Sequence, residues 1–126
     1  MKIRIAVAII AGIGLGAATV GVIHAQAMPP TFVVVEIDVT NMDGYMKEYA
    51  PKVQALTKQH GGRLLAASAN VAAITGQPPV RVAVQQWESL DKAKGFFGSA
   101  EYKNLLKIGE KYAKFRIYAV EGPKPQ

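Results

Sequence analysis

The sequence contains no cysteine, and histidine and tryptophan are scarce. Its 126 residues include two histidines and one tryptophan. Without cysteine the chain can form no disulfide, no thiolate metal site and no iron–sulfur cluster, so a stable domain must depend on its hydrophobic core. His60 is the only histidine after the N-terminal segment, whereas transition metals usually need several such ligands. The sequence therefore predicts neither a metal site nor a cofactor.

Long hydrophobic runs are also absent, except at the N-terminus. Lys2 and Arg4 come first, and residues 5–23 then carry no charge. Ala25-Gln26-Ala27 follows, with small residues at the two positions that a signal peptidase reads. A positive start, an apolar stretch and a small-residue site in this order are typical of a secretory signal peptide.

We therefore predict a signal peptide over residues 1–27 and a mature domain over residues 28–126, periplasmic or secreted. The alternative is an uncleaved anchor, because the 19 uncharged residues come close to the roughly 20 that span a bilayer. In that case the leader would be the protein's only contact with a membrane. Export also excludes nucleic acid as a natural partner.

Acidic residues are in the minority. The chain has 15 Lys and Arg against nine Asp and Glu, which gives a formal net charge of +6 at pH 7. The basic residues are dispersed, as is typical of a solvated surface. The same balance could also favour small anionic ligands or an anionic envelope surface.

The spacing of apolar residues in the mature domain predicts four strands and three helical segments. Alternating apolar residues indicate strands, and apolar residues three to four apart behind a capping side chain indicate helices. In chain order, the predicted elements are a strand over 31–39, a helix over 42–60, strands over 63–68 and 80–87, helices over 90–97 and from 100 onwards, and a strand over 115–121.

The first predicted helix has an internal irregularity. Thr40 or Asn41 can cap its N-terminus. Pro51 lies in its middle and predicts a kink or a restart, because proline removes a helix hydrogen bond and clashes with the preceding turn. Gly61 ends the helix in the left-handed cap position. The residues predicted to face inward are Tyr45, Met46, Tyr49, Val53 and Leu56.

This element order predicts an α+β, ferredoxin-like β-α-β-β-α-β sandwich with a four-stranded antiparallel sheet. Both helical regions would cover one face of the sheet and leave the other face bare. The first strand is apolar on both faces over much of its length, so the bare face is too apolar to remain in water. A second copy of the chain, in a two-fold homodimer, would cover it.

Seven short segments between Phe32 and Gly122 form a recognisable series. They are Val34-Val35-Glu36-Ile37-Asp38-Val39, Asp43-Gly44-Tyr45, His60-Gly61-Gly62-Arg63, Arg81-Val82-Ala83-Val84, Trp87-Glu88-Ser89-Leu90, Ser99-Ala100-Glu101-Tyr102 and Val120-Glu121-Gly122. Each segment alone is weak, but their order and spacing are fairly specific. Together they resemble the domain-of-unknown-function 1330 family, which belongs to the dimeric α+β barrel group.

The resemblance implies a fold and a dimer but does not select a reaction. The wider group includes cofactor-free monooxygenases, haem-handling proteins and isomerases. Two departures remove positive groups from the region where a ligand would be held. Residues 67–70 replace an Arg-Gly-Gly that such proteins often carry, and an arginine often found in the last helix falls at Ile108 or Gly109.

Five residues are candidates for ligand binding: Tyr45, Tyr49, His60, Arg81 and Trp87. Tyr45 and Tyr49 either present their hydroxyls to a cavity or pack their rings in the core. Trp87 and Arg81 share a strand face and could hold a planar or carboxylated ligand, although dimer interfaces use the same residue types. His60 could be a general base, or a cation that suits the end of a helix.

Two hypotheses follow from these residues. The first is an exported homodimer that binds a small organic molecule, apolar or weakly anionic, between sheet and helices. The alternative is a non-catalytic dimerisation or interaction module without a ligand. The first needs an enclosed pocket with a few converging polar groups, whereas the second predicts faces that fill each other. Haem binding is the third interpretation, and the scarcity of histidine and cysteine argues against it.

Overall fold

Four antiparallel strands form one sheet in the order β2-β3-β1-β4. The computed structural model describes residues 29–124, and the predicted signal peptide lies outside them. The elements are β1 (Thr31–Val39), α1 (Met42–Gly44), a π-helical segment (Tyr45–Tyr49), α2 (Ala50–Gln59), β2 (Arg63–Ser68), β3 (Arg81–Trp87), α3 (Leu90–Phe97), α4 (Ala100–Gly109) and β4 (Ala113–Glu121).

The predicted ferredoxin-like α+β fold is confirmed, with β1 as a central strand. β1 pairs with β3 and with β4, so that Val35 lies between Ala83 and Ile117. Burial alternates along β1, with Val33, Val35 and Ile37 buried. This is the period of two expected when one face of a sheet packs on helices. The core therefore lies between that face and the helices.

The helical region before β2 begins where the sequence predicted. The side chain of Asn41 accepts a hydrogen bond from the N–H of Gly44 at 3.0 Å, which satisfies a donor that the first turn leaves free. The interruption predicted at Pro51 takes the form of the π-helical segment, in which the N–H of Ala50 reaches the carbonyl of Tyr45. Pro51 then lies in the first turn of α2, where its missing N–H costs no hydrogen bond.

The π-helical segment overturns one inward assignment. Tyr45 and Tyr49 are buried, but Met46 is 41% exposed. Residues four apart lie on the same side of a helical segment, so Tyr45 and Tyr49 share the inward side. Met46, the residue after Tyr45, is turned toward solvent.

The alternation predicted for β2 was wrong. A bulge between Leu64 and Ala66 interrupts the register with β3, and the adjacent residues Leu64 and Leu65 are both exposed. Glu36 on β1 pairs with Arg116, because β4 lies beside β1 and β2 does not.

The sheet face opposite the helices is apolar over much of its area, as predicted. Tyr118 donates a hydrogen bond of 2.6 Å to Glu36, and Arg116 pairs with the same carboxylate. This polar cluster is surrounded by apolar side chains at alternating positions of the strands. They are Phe32, Val34, Ala66, Val82, Val84 and Val120. We call this surface, with its polar cluster, the outer face.

The described helices are short. Within residues 29–124, none is long and apolar enough to cross a membrane.

Candidate functional site

A cavity of about 720 Å³ lies between the sheet and the helical region that precedes β2. The sheet contributes its helix-facing side chains, and the π-helical segment, α2 and α4 supply the opposite wall. The apolar lining includes Val35, Ile37, Val53, Ala83, Phe97 and Phe115. The polar lining includes Tyr45, Tyr49, Thr57, Lys58, Arg63, Arg81, Gln85 and Tyr102.

Tyr45 and Tyr49 lie side by side on the cavity wall. Their ring centroids are 5.5 Å apart. The ring of Phe115 on β4 lies 5.4 Å from that of Tyr49 and 6.5 Å from that of Tyr45. The two rings therefore pack in the core, and the same two residues are part of the cavity lining.

Burial changes the acidity of these hydroxyls. It raises the pKa of Tyr45, and the positive charge of Arg81 and its hydrogen bond act in the opposite direction. Burial also raises the pKa of Tyr49 well above its usual range, with further contributions from Tyr102. A phenol that stays protonated at neutral pH can donate a hydrogen bond to a ligand.

Tyr102 brings a third hydroxyl to the cavity. It lies one turn into α4, whose N-terminus is capped by the hydroxyl of Ser99. Burial raises the pKa of Tyr102 to about 12, and the negative charge of Glu110 also raises it. A hydrogen bond with Tyr49 lowers this pKa by a smaller amount than burial raises it. Tyr102 is buried, and its place on the cavity wall follows from the approach of α4 to the π-helical segment.

Arg81 is the least exposed of the cations that line the cavity. It opens β3 directly opposite Ile37 on β1, and it is partly buried. Its guanidinium carbon lies 5.9 Å from the centroid of the Tyr45 ring, a distance at which cation and aromatic face attract. The aromatic neighbour of Arg81 is therefore Tyr45.

Trp87 does not line the cavity, although it shares a strand face with Arg81. It is 2% exposed, and its indole N–H donates a 2.9 Å hydrogen bond to Gln85. Its ring packs 5.1 Å from Phe96 and 6.3 Å from Phe97. Trp87 is thus a core residue that touches the cavity indirectly, because Gln85 and Phe97 are part of the lining.

His60 also lies outside the cavity lining. It follows α2, and its ring packs 5.3 Å from that of Phe96. Its Nε2 lies 3.4 Å from a carboxylate oxygen of Glu101. These contacts fit the helix-end interpretation and give His60 no direct access to a ligand in the cavity.

Most of the lining residues were not among the sequence candidates, and Gln85, Lys58 and Phe115 are three examples. Gln85 shares the helix-facing side of β3 with Arg81, so the strand alternation could have identified it. Lys58 lies one residue after the buried Thr57 near the end of α2. Phe115 faces the helices because it pairs with Ile37, a helix-facing residue of β1, and the sequence could not show this register.

The two departures from the family pattern both lie near the cavity. Ala67 lines it, where its small side chain leaves space open. Gly109 packs against the ring of Tyr49, and a side chain as large as arginine at this position would occupy that space. Among residues 29–124, no group of three or more potential metal ligands is present.

Comparison with known proteins identifies a family and a fold. The model of the domain of unknown function (DUF1330) matches residues 30–123. None of the curated proteins matches this chain.

Solved structures share the fold. The methylated RPA0582 protein of Rhodopseudomonas palustris superposes with a TM-score of 0.59 at 12% identity, covering 78% of this chain and 84% of that chain. SnoaB of Streptomyces nogalater, a cofactor-independent oxygenase, gives 0.57 at 7% identity, with coverages of 75% and 94%. A Bacteroides thetaiotaomicron protein, called a possible oxidoreductase, gives 0.54 at 14% identity, with coverages of 76% and 100%. Such low identities establish the fold alone.

Proposed function

We propose that this chain, which belongs to the domain-of-unknown-function 1330 family, binds a small organic molecule in the cavity between its sheet and its helices. The supporting observation is the cavity itself. Its volume of about 720 Å³ is in the range of small-molecule sites, roughly 300–1,000 Å³. Apolar walls with a few converging polar groups are also typical of such sites.

The proposal is limited to binding. The oxygenase and oxidoreductase descriptions belong to structural neighbours at 7% and 14% identity, and a shared fold hosts many reactions. The three tyrosines, Arg81 and Gln85 are among the polar residues that line the cavity. These groups can hold a polar substituent of a ligand by hydrogen bonds and charge.

A thermal-shift screen of small carboxylates and phenols tests the proposal, since a ligand of the folded state raises its melting temperature. A cavity-filling variant, Ala83→Phe, should abolish every shift that the unmodified protein shows. Ala119→Phe is the matched control, because Ala119 lies on the same sheet face, outside the cavity lining. Shifts that survive Ala83→Phe, or no shift with any compound, would contradict ligand binding in this cavity.

We also propose that two copies of the chain pair through the outer face. Its apolar side chains lie uncovered in the single chain, and exposed apolar patches of this kind usually mark interaction sites. The cluster of Glu36, Arg116 and Tyr118 would give such an interface polar groups that fix its register. If the outer faces pair but no compound binds, the alternative of an interaction module without a ligand is favoured.

Export is the third part of the proposal. It is supported by the charged start, the apolar stretch and the small-residue site within residues 1–27. N-terminal sequencing of the protein from a periplasmic fraction tests it. A mature chain that begins at Met28 is expected, whereas a chain that retains Met1 in the membrane fraction would support the anchor.

A further inference from the structure

We infer that the molecule held in the cavity is a ring-shaped organic carboxylate, with its carboxylate on Arg81 and its ring beside Tyr45. This inference rests on the proposed ligand binding and adds the chemical class of the ligand. It is carried by three independent features of the cavity wall: its charges, the position of Arg81, and the neighbouring rings.

The charged groups on the wall are all cations. Lys58, Arg63 and Arg81 line the cavity, and no Asp or Glu among residues 29–124 does so. None of these three cations forms an ion pair within the described part of the chain. Glu110 influences the pKa of Tyr49 and Tyr102, but it lies outside the lining. The wall therefore favours a negative ligand.

The position of Arg81 identifies it as the anchor. It is partly buried, whereas Lys58 and Arg63 are exposed. Partial burial removes some of the water molecules that would hydrate the guanidinium of Arg81. No carboxylate of the protein pairs with it to compensate for this loss. The planar fork of a guanidinium matches a carboxylate with two parallel hydrogen bonds. A bound carboxylate would thus replace the missing counter-ion.

The surroundings of Arg81 favour a ring as the body of the ligand. Its neighbours on the wall are Tyr45, 5.9 Å away, and its register partner Ile37. Tyr49 and Phe115 continue this apolar surface at ring distances of 5.4–6.5 Å. Aromatic side chains pack well against planar rings, edge-on or offset. A ring attached to the carboxylate would lie on this surface.

Lys58 and Arg63 have a different role from Arg81. Both are exposed at the wall, so their charges attract anions from solution and are screened by salt. We expect Lys58→Met to slow association at low salt and to leave dissociation nearly unchanged. Arg81→Met should instead speed dissociation, because it removes the direct contact.

The test compares the affinities of carboxylic acids with those of the matching uncharged amides. Benzoate, hydrocinnamate and cyclohexanecarboxylate are each titrated beside the matching primary amide, with calorimetry and the fluorescence of Trp87. Trp87 is the only tryptophan of the chain, and its hydrogen bond to the cavity residue Gln85 couples it to ligand binding. At least one acid should bind about tenfold or more tightly than its amide.

Variants assign the preference to Arg81. Arg81→Met should remove the advantage of the acid over its amide and leave the amide affinity unchanged. Arg81→Lys keeps the positive charge but lacks the planar guanidinium, so it should retain part of the higher affinity for the acid over its amide. Lys103→Met, an exposed lysine of α4 outside the lining, is the control and should behave like the unmodified protein.

The outcomes separate the two proposals. An amide that binds as tightly as its acid, or an acid preference that survives Arg81→Met in a folded protein, would overturn the carboxylate inference while ligand binding stands. If neither member of any pair binds and no thermal shift is found for any compound, the proposed ligand binding fails, and the carboxylate inference fails with it.

Discussion

Gly109 lies directly against the ring of Tyr49, and a Cβ atom built on this glycine would stand 2.7 Å from two of the ring carbons. This close approach joins the end of α4 to the π-helical segment. It also brings Tyr49 close to Tyr102, so that Tyr102 contributes to the raised pKa of Tyr49. The glycine thus determines where one wall of the cavity stands.

Gly109→Ala should therefore destabilise the protein and displace Tyr49. The added methyl overlaps a buried ring that has little room to move, and overpacking of this kind costs about 1–3 kcal/mol. Gly95→Ala is the matched control, because Gly95 also lies in a helix but has nothing within 4 Å of a built Cβ. It should stabilise by up to about 1 kcal/mol. Urea unfolding of both variants measures the difference, and equal effects would contradict the packing.

Because its buried tyrosines resist ionisation, the folded protein should lose free energy of unfolding at alkaline pH. Burial raises the pKa of Tyr49 and that of Tyr102, the latter to about 12, whereas a tyrosine in the unfolded chain ionises near pH 10. Between these values the folded state holds protons that the unfolded state has lost. Stability is therefore full below about pH 10 and falls as pH rises through the folded-state pKa.

Tyr102→Phe should make this fall shallower, by on the order of 1 kcal/mol between pH 10 and 12. Unfolding free energies of both proteins across this range give the two slopes, and the same measurement at pH 7 corrects for the direct effect of the substitution. Identical slopes would mean that the Tyr102 hydroxyl is not buried as described.

The hydrogen bond between Trp87 and Gln85 should be worth a measurable free energy. Gln85→Leu leaves the buried indole N–H without its acceptor, which costs about 1–3 kcal/mol. In a Trp87→Phe background the same substitution should cost clearly less, because the donor is already gone. Urea unfolding of the two single variants and the double variant measures this coupling, and purely additive effects would contradict it.

Two neighbouring residues on opposite faces of β4 test the proposed dimer. Val120 points to the outer face and is 55% exposed in the single chain, so Val120→Glu should leave the fold of one copy intact. At a dimer interface it would bury an unpaired charge and raise the dissociation constant more than about tenfold. Ala119→Glu, on the other face, should leave the assembly unchanged.

Light scattering of the unmodified protein and of both variants at micromolar concentration decides this point. We expect a dimer for the unmodified protein and Ala119→Glu, and a single copy for Val120→Glu. A well-folded single copy of the unmodified protein would contradict pairing through the outer face.

Local signals in the sequence were sufficient to predict most of the elements. The period of two in β1 gave its bounds, Thr31–Val39, and the caps Ser89 and Ser99 gave the starts of α3 and α4. The bulge in β2 and the π-helical segment were not predictable in this way. Both depend on how a strand or helix adjusts to its neighbours, and apolar spacing does not record that adjustment.

Three of the five candidate residues, Tyr45, Tyr49 and Arg81, line one cavity, whereas Trp87 and His60 lie outside its lining. The meeting of the first three depends on the pairing of β3 with β1, which places Arg81 opposite Ile37 and under the π-helical segment. Trp87 carried the same sequence signal as Arg81. It is enclosed instead by Phe96 and Phe97, which belong to a helix that strand alternation cannot position.

The most direct test of the cavity as a binding site is an NMR titration of the protein with labelled tyrosine rings. Three of the five tyrosines in the sequence, Tyr45, Tyr49 and Tyr102, line the cavity, whereas Tyr112 and Tyr118 do not. Addition of a binding ring-shaped carboxylate should shift the signals of the first three and leave the other two in place. Shifts confined to Tyr118 on the outer face, or no shift at any ring, would contradict the account.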